Sequence, residues 1–236
     1  MRRPDAPSNP DVLAVDHLTV RLGRRAVLDD VSLRLTDRGH VVGLFGQNGA
    51  GKSTLLRCVA GLLVRHDGTV AVPDGGVALL PDSPFLYPRL RLDAAVRLAA
   101  DLWADLDAVH AVRTLDRLGL PPRLRVGEAS KGMLEQVHLA LVLARRRRLT
   151  LLDEPLAAVD PLTRDQLVDL LRSHREPGST VVVSTHLVSG LEDLFDEVVV
   201  VHDGRIVLHD EVGAVARRGG LEARVKEVLA GGHRAA

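Results

Sequence analysis

Cysteine, lysine and aromatic residues are scarce in this sequence of 236 residues. Cys58 is its single cysteine, which excludes an internal disulfide and a cysteine-based zinc site and favours a reducing compartment. Lysine occurs only at positions 52, 131 and 226. The aromatic residues are Phe45, Phe85, Tyr87, Trp103 and Phe195. Few aromatic rings are therefore available to stack on a ligand.

The sequence also lacks net charge and long apolar runs. It has 31 Lys and Arg residues against 31 Asp and Glu residues, so the totals imply no broad basic surface for nonspecific binding of nucleic acid. A net charge near zero favours association. The N-terminus is polar and proline-rich where a secreted protein has an apolar signal core, and no run approaches the ~20 apolar residues of a membrane helix. We therefore expect a cytoplasmic chain that reaches a membrane only through a partner.

A glycine-rich stretch follows the apolar residues 41–45 and fits the phosphate-binding pattern G-x-x-x-x-G-K-[ST]. It reads Gly46-Gln47-Asn48-Gly49-Ala50-Gly51-Lys52-Ser53-Thr54. Glycines allow backbone N–H groups to turn towards phosphate oxygens, and a helix beginning at Lys52 directs its positive dipole end at the same anion. Lys52 offers a charge to the outer phosphates, and Ser53 offers a hydroxyl to Mg²⁺. The alternative is a glycine-rich turn beside an unrelated lysine, which composition alone gives in roughly one such chain in several hundred.

Hydrophobic patterns predict secondary structure on both sides of this loop. Two short apolar segments, residues 12–15 and 31–35, flank a turn near Gly23 and predict antiparallel strands. Apolar residues recur at helical spacing over residues 92–118, which predicts two or three amphipathic helices. A further helix is expected over residues 131–144.

The second half of the chain predicts a parallel sheet. Apolar runs at residues 149–152 and 180–183 are separated by a helical stretch at residues 164–173. Apolar strands that alternate with helices are typical of a parallel sheet buried on both faces. The expected fold class is α/β, with an N-terminal antiparallel β portion. Residues 1–11 contain three prolines and no periodicity, and we expect a disordered tail there.

Polar residues come directly after three of the predicted strands. Lys52 follows the first of them, Asp153 and Glu154 follow the second, and His186 follows the third. In parallel sheets the ligand lies beyond the carboxyl ends of the strands, so we expect these side chains to converge. Asp153 can then orient Mg²⁺, Glu154 can hold an attacking water, and His186 can sense the terminal phosphate. An Asp-Glu pair after apolar residues is also a common helix start, and a lone histidine there is more often structural.

Four consecutive arginines occupy residues 145–148. Such a run suggests a site for nucleic acid or anionic lipid. It also suits a solvated helix C-terminus, where cations complement the helix dipole, and we favour that interpretation.

Together these motifs resemble the ATP-binding subunit of an ABC transporter over nearly the whole chain. Residues 46–53 correspond to the Walker A loop, and residues 149–154 to the Walker B strand with its catalytic glutamate. Residues 155–160 resemble the D-loop, with Asp160 at its carboxylate position, and His186 resembles the switch histidine of the H-loop. Residues 129–133, Ala-Ser-Lys-Gly-Met, occupy the place of the LSGGQ signature in a degenerate form.

The resemblance implies ATP and Mg²⁺ as cofactors, and composite sites in a head-to-tail dimer. Ser130 and Gly132 of one subunit would close over the ATP held by the other subunit. Asp82 stands at the Q-loop position, where the family usually offers Gln or Glu to the metal, and it is one methylene shorter than Glu. Leu22 stands where many relatives stack an aromatic ring on adenine. The implied metal ligands are Ser53, Asp153 and Asp82.

The expected protein is a cytoplasmic ATPase subunit that drives a separate transmembrane permease from the inner face of the membrane. The signature variant resembles those of ABC-2-type exporters, so we expect export. The alternative is a soluble regulatory or nucleic-acid-associated ABC ATPase, or a degraded subunit that binds ATP without turnover. The expected domains are an ATP-binding domain over residues 12–218, with a helical insert at about 82–147, and a helical tail over residues 219–236.

Overall fold

The structure is a computed structural model that describes residues 11–36, 38–157, 159–174, 178–217 and 219–231. A three-stranded antiparallel sheet begins the chain, with β1 (Asp11–Leu22) between β2 (Arg25–Thr36) and β4 (Asp67–Ala71). The predicted antiparallel pair is confirmed, although both strands are longer than the apolar segments that indicated them. The predicted tail lies outside the described residues except for Asp11, which already belongs to β1.

The main sheet has the strand order β5-β6-β7-β3-β8-β9. Its strands are β3 (Val41–Phe45), β5 (Ala78–Leu80), β6 (Leu149–Asp153), β7 (Thr180–Thr185), β8 (Glu197–His202) and β9 (Arg205–Glu211). All neighbouring pairs are parallel except β8 and β9, which form an antiparallel hairpin. The α/β class is confirmed, and the antiparallel hairpin is an addition that the sequence patterns did not predict.

Helices cover both faces of this sheet and form the insert. They are α1 (Lys52–Val59), α2 (Leu92–Leu102), α3 (Ala108–Arg117), α4 (Lys131–Leu143), α5 (Pro161–Ser173), α6 (Val212–Ala216) and α7 (Leu221–Gly231). Along β3 the side chains alternate, so that Val42 and Leu44 pack towards α1 while Val41 and Phe45 pack towards α4 and α5. Within the described residues, no helix is both long and apolar enough to cross a membrane.

Arg145 and Arg147 are largely buried in the helical insert, unlike the predicted solvated helix end, whereas Arg146 and Arg148 are exposed as that prediction requires. Arg145 Nε and Arg147 Nε donate to Asp105 at 2.9 and 2.7 Å, and Arg146 donates to Asp107 at 2.8 Å. The Arg145 guanidinium also lies 4.9 Å from the centre of the Trp103 ring. Burial alone would raise the pKa of Asp105, but the hydrogen bonds from Arg145 and Arg147 lower it. These cations therefore tie the end of α4 to the α2–α3 connection.

His138 on α4 is an ionisable group within the packed insert. It is 2% exposed and stacks on Phe85, with ring centroids 4.5 Å apart. Burial lowers the pKa of His138 from 6.5 to about 4, because the charged ring would lose its hydration. Between these pH values the unfolded chain binds a proton that the native protein does not. The free energy of unfolding therefore falls as the pH falls from about 6.5 to about 4.

We expect His138→Leu to remove this pH dependence. Between pH 6.5 and about pH 4, the unfolding free energy of the wild-type protein should fall by up to about 3 kcal/mol because of this histidine. The variant should not show this loss. Urea denaturation at several pH values between neutrality and pH 4 measures the difference. Phe85→Leu is the matched control, because it removes the stacking partner and leaves the buried histidine, so it should keep the wild-type slope. Equal slopes in wild type and His138→Leu would contradict the assignment.

Candidate functional site

The loop between β3 and α1 depends on glycine at two positions of close approach. A side chain at Gly46 would collide with the carbonyl oxygen of Val201 on the neighbouring strand β8. Gly51 has φ of 112°, and an added Cβ would lie 2.9 Å from the carbonyl oxygen of Val27. The loop is therefore held against β2 and β8 in a conformation that L side chains rarely adopt.

Lys52 places a buried cation at the centre of this loop. Its side chain is 5% exposed, and its Nζ donates to the carbonyl oxygen of Gly46 at 2.8 Å. The same Nζ lies 3.1 Å from Oε1 of Glu154. A buried charge needs such partners, since desolvation without them costs several kcal/mol.

Three oxygen-bearing side chains meet beside Lys52. Oδ1 of Asp153 accepts hydrogen bonds from Ser53 Oγ at 3.0 Å and from Ser184 Oγ at 2.7 Å. Asp153 and Ser184 are paired residues at the ends of the parallel strands β6 and β7. The sequence prediction missed the contribution of Ser184, although its position directly before Thr185 and His186 at a strand end was a usable signal. The cluster offers only hard oxygen donors.

Glu154 and His186 complete the connected groups. Glu154 has φ of 52°, a conformation that is strained for a residue other than glycine. Its backbone N–H donates to Ser184 Oγ at 3.0 Å, and its Oε2 lies 3.0 Å from Nδ1 of His186. The Glu154 carboxylate thus lies between the Lys52 ammonium and the His186 imidazole. Lys52, Ser53, Asp153, Glu154 and His186 therefore converge as expected at the carboxyl ends of the strands.

Two other predicted site residues lie apart from this cluster. Asp82 is half-exposed and lies 3.5 Å from Arg57 on the outer face of α1, so it does not join Ser53 and Asp153. Leu22 is 59% exposed and lines a cavity of about 550 Å³ that Gly49 and Gly204 also line. None of the residues that line this cavity is aromatic.

The signature-like residues lie at the start of α4. Ser130 is the N-cap of this helix, and its Oγ accepts a hydrogen bond from the N–H of Met133 at 3.1 Å. Gly132 is buried and packs against Thr163 of α5. Ser130 and Gly132 thus contact residues of α4 and α5. Neither of them takes part in the hydrogen bonds and ion pairs described above for the Lys52 cluster.

Comparison with known proteins decides the family. Residues 28–157 match the sequence family described as ABC transporter, and they make up more than half of the chain. The chain belongs to the ABC transporter family. It is an ATP-binding subunit, and such subunits are ATPases coupled to transport.

Its relatives include proteins named for import. An aliphatic sulfonates import ATP-binding protein, SsuB, of Burkholderia ambifaria is 36% identical, over 98% of this chain and 76% of its own length. The SsuB protein of Yersinia pestis is 37% identical, over 83% of this chain and 74% of its own length. A solved structure of an ATP-binding subunit of an ABC transporter superposes with a TM-score of 0.79 at 27% identity, covering 93% of this chain and 99% of that one. The expected export direction finds no support in these relatives.

The two loop glycines make a testable contrast in this ATP-binding subunit. Gly49 has φ of 82° with open space around its missing Cβ, whereas Gly51 combines positive φ with a close approach to Val27 and Leu28. Gly49→Ala should therefore cost only the strain of a left-handed alanine, about 1–2 kcal/mol. Gly51→Ala should cost more and should abolish binding of a fluorescent ATP analogue. Urea denaturation and a binding titration measure both effects, and equal costs would contradict the close approach as the cause.

Proposed function

We propose that this ATPase subunit binds ATP with Mg²⁺ at the β3–α1 loop and hydrolyses it within a head-to-tail dimer that drives a separate membrane permease. The connected cluster of Lys52, Asp153, Glu154 and His186 is the observation that carries this proposal. It combines a cation for phosphate, oxygen donors for a metal and a carboxylate for water at one edge of the sheet.

The residues beside Lys52 fit a magnesium ion. Ser53 Oγ and Asp153 Oδ1 lie 3.0 Å apart, and Mg²⁺ uses few protein oxygens because phosphates and waters supply the rest. Mg²⁺ bound there would neutralise charge on the phosphates. Ser184 would hold the Asp153 carboxylate in place through its hydroxyl. Asp82 is left out of this proposed metal site because its carboxylate lies beside Arg57.

Binding of phosphate would change the partners of Lys52. In the structure, the Lys52 ammonium is shared between the Gly46 carbonyl and the Glu154 carboxylate. A phosphate anion competes for this ammonium, and Glu154 is then free to orient the attacking water. His186, 3.0 Å from Glu154, would hold that carboxylate in position and meet the terminal phosphate.

The nucleoside would occupy the cavity beside Leu22 and Gly49. Its lining is aliphatic and polar, so adenine would find an apolar contact in place of an aromatic stack. Base recognition would then be loose, since phosphate and metal contacts are common to all nucleoside triphosphates.

The permease would dock on an apolar cavity of about 360 Å³ between the core and the insert. Leu62, Leu79, Phe85 and Trp103 line this cavity, and Leu62 is 68% exposed. The SsuB relatives are named as import ATP-binding proteins, which supports a transport partner for this chain. The subunit would thus lie on the inner face of the membrane through its permease.

Two substitutions should separate nucleotide binding from hydrolysis. Lys52→Ala should weaken binding of an ATP analogue and abolish hydrolysis, because the phosphates lose their buried cation. Glu154→Gln should keep binding, lower phosphate release by about a hundredfold or more and accumulate a nucleotide-bound dimer, because water is no longer held by a base. Titration, phosphate release and light scattering measure the three properties. Asp116→Asn, an exposed carboxylate on α3, is the control that should behave as wild type. A Glu154→Gln variant with wild-type turnover would contradict the proposed role of Glu154 in holding the attacking water.

A mixing experiment should test whether the sites are shared between subunits. A Ser130→Arg subunit should bind ATP at its own loop yet should not hydrolyse it alone, because its partner's signature residue is also blocked. Mixing it with Glu154→Gln subunits before ATP is added should restore hydrolysis. Random pairing leaves about one in four sites with both Glu154 and a facing Ser130. Full hydrolysis by Ser130→Arg alone would show a self-contained site.

A further inference from the structure

The backbone of α4 touches α5 at Gly132. A Cβ at this position would lie 2.8 Å from Oγ1 and 2.9 Å from Cγ2 of Thr163. Neither distance leaves room for a methyl group. Gly132 has no positive φ, so its conformation would suit any residue, and the contact with Thr163 is what requires glycine.

Thr163 is held in the orientation that creates this contact. Its Oγ1 donates to Oδ2 of Asp160 at 2.6 Å, and its backbone N–H donates to Oδ1 of the same carboxylate at 3.0 Å. Threonine is branched at Cβ, so turning χ1 to make room would move a methyl group into the same space or break the bond to Asp160. The Thr163 side chain therefore cannot turn away from position 132 without a new clash or the loss of its hydrogen bond to Asp160.

A second contact lies one turn further along both helices. Gln136 on α4 is 4% exposed, and its Nε2 donates to Oε1 of Gln166 on α5 at 2.6 Å. Gln136 follows Gly132 by four residues and Gln166 follows Thr163 by three, so each pair lies on one helix face. The two contacts form a continuous seam between α4 and α5.

We propose that this seam fixes the N-termini of α4 and α5 relative to each other, with Gly132 as a positioning residue. Ser130 caps α4 two residues before Gly132, and Asp160 caps α5 three residues before Thr163. The seam makes these two caps one rigid edge that approaches the partner's nucleotide as a unit. This inference rests on the proposed head-to-tail dimer.

The seam predicts how a methyl group at Gly132 acts. Gly132→Ala forces α4 and α5 apart by some tenths of an ångström and displaces Ser130 from Asp160. A misplacement of about 1 Å can cost a hundredfold in rate, so we expect kcat to fall by about tenfold. The subunit's own ATP loop is untouched, so KM and the affinity for a fluorescent ATP analogue should change by less than about twofold.

A second-site substitution provides the decisive test. Thr163→Ala removes both Oγ1 and Cγ2, the two atoms that an alanine at position 132 would strike. The Gly132→Ala/Thr163→Ala double variant should therefore recover kcat to within about twofold of Thr163→Ala alone. Gly213→Ala on α6 is the control, because its added methyl group meets nothing within 4 Å and its φ is not positive.

The outcomes separate the seam from the shared site. A double variant as slow as Gly132→Ala would overturn the seam, because removing the Thr163 side-chain atoms would then not relieve the effect of the methyl group. A Gly132→Ala variant with wild-type kcat would overturn it as well. If Thr163→Ala rescues Gly132→Ala while the mixture of Ser130→Arg and Glu154→Gln subunits stays inactive, the contact between α4 and α5 stands, but the shared site and the role of the seam towards a partner's nucleotide both fail.

Discussion

The central position of β3 in the parallel sheet determines where the reacting groups lie. β7 pairs with β3 on one side and with β6 on the other, so Phe45 is level with Thr185, and Asp153 is level with Ser184. The chain leaves each of these strands at the same edge of the sheet. The polar side chains of the site lie at these strand ends or directly after them. Strand register and the loop from β3 to α1 together bring residues about one hundred positions apart in sequence, such as Ser53 and Asp153, within hydrogen-bond distance.

The opposite end of β3 is held by hydrogen bonds to side chains of β8 and β9 and to Asp196 just before β8. Nδ1 of His40 and Nε2 of His209 both contact the Glu197 carboxylate, at 2.8 and 3.1 Å, and the N–H of Val41 donates to Asp196. The hydrogen bond from His209 and then the one from His40 lower the pKa of Glu197 against the effect of burial. These contacts join β3 to the β8–β9 hairpin.

Contiguous motifs could be predicted from the sequence because their chemistry is local. The β3 loop needs glycines, a lysine and a hydroxyl in a fixed order, and parallel strand ends account for Asp153, Glu154 and His186. The β8–β9 hairpin was not predicted, since four consecutive valines in β8 show no alternation. Asp82 and the two largely buried arginines, Arg145 and Arg147, were misplaced for another reason. Their partners, Arg57 and Asp105, are distant in sequence. The spacing of apolar residues, on which helix and strand predictions rest, does not predict ion pairs between such distant residues.

The insert is joined to the core most firmly through α4. At the C-terminal end of this helix, Arg145 and Arg147 attach it to the α2–α3 connection by way of Asp105. At its N-terminal end, Gly132 and Gln136 attach it to α5, which begins directly after the loop that leaves β6. A displacement of the insert must therefore move α4. Movement of α4 must in turn either carry α5 with it or break the contacts of the seam. Because α5 follows Glu154 by only a few residues, the position of Ser130 and the backbone of Glu154 are mechanically connected within one chain.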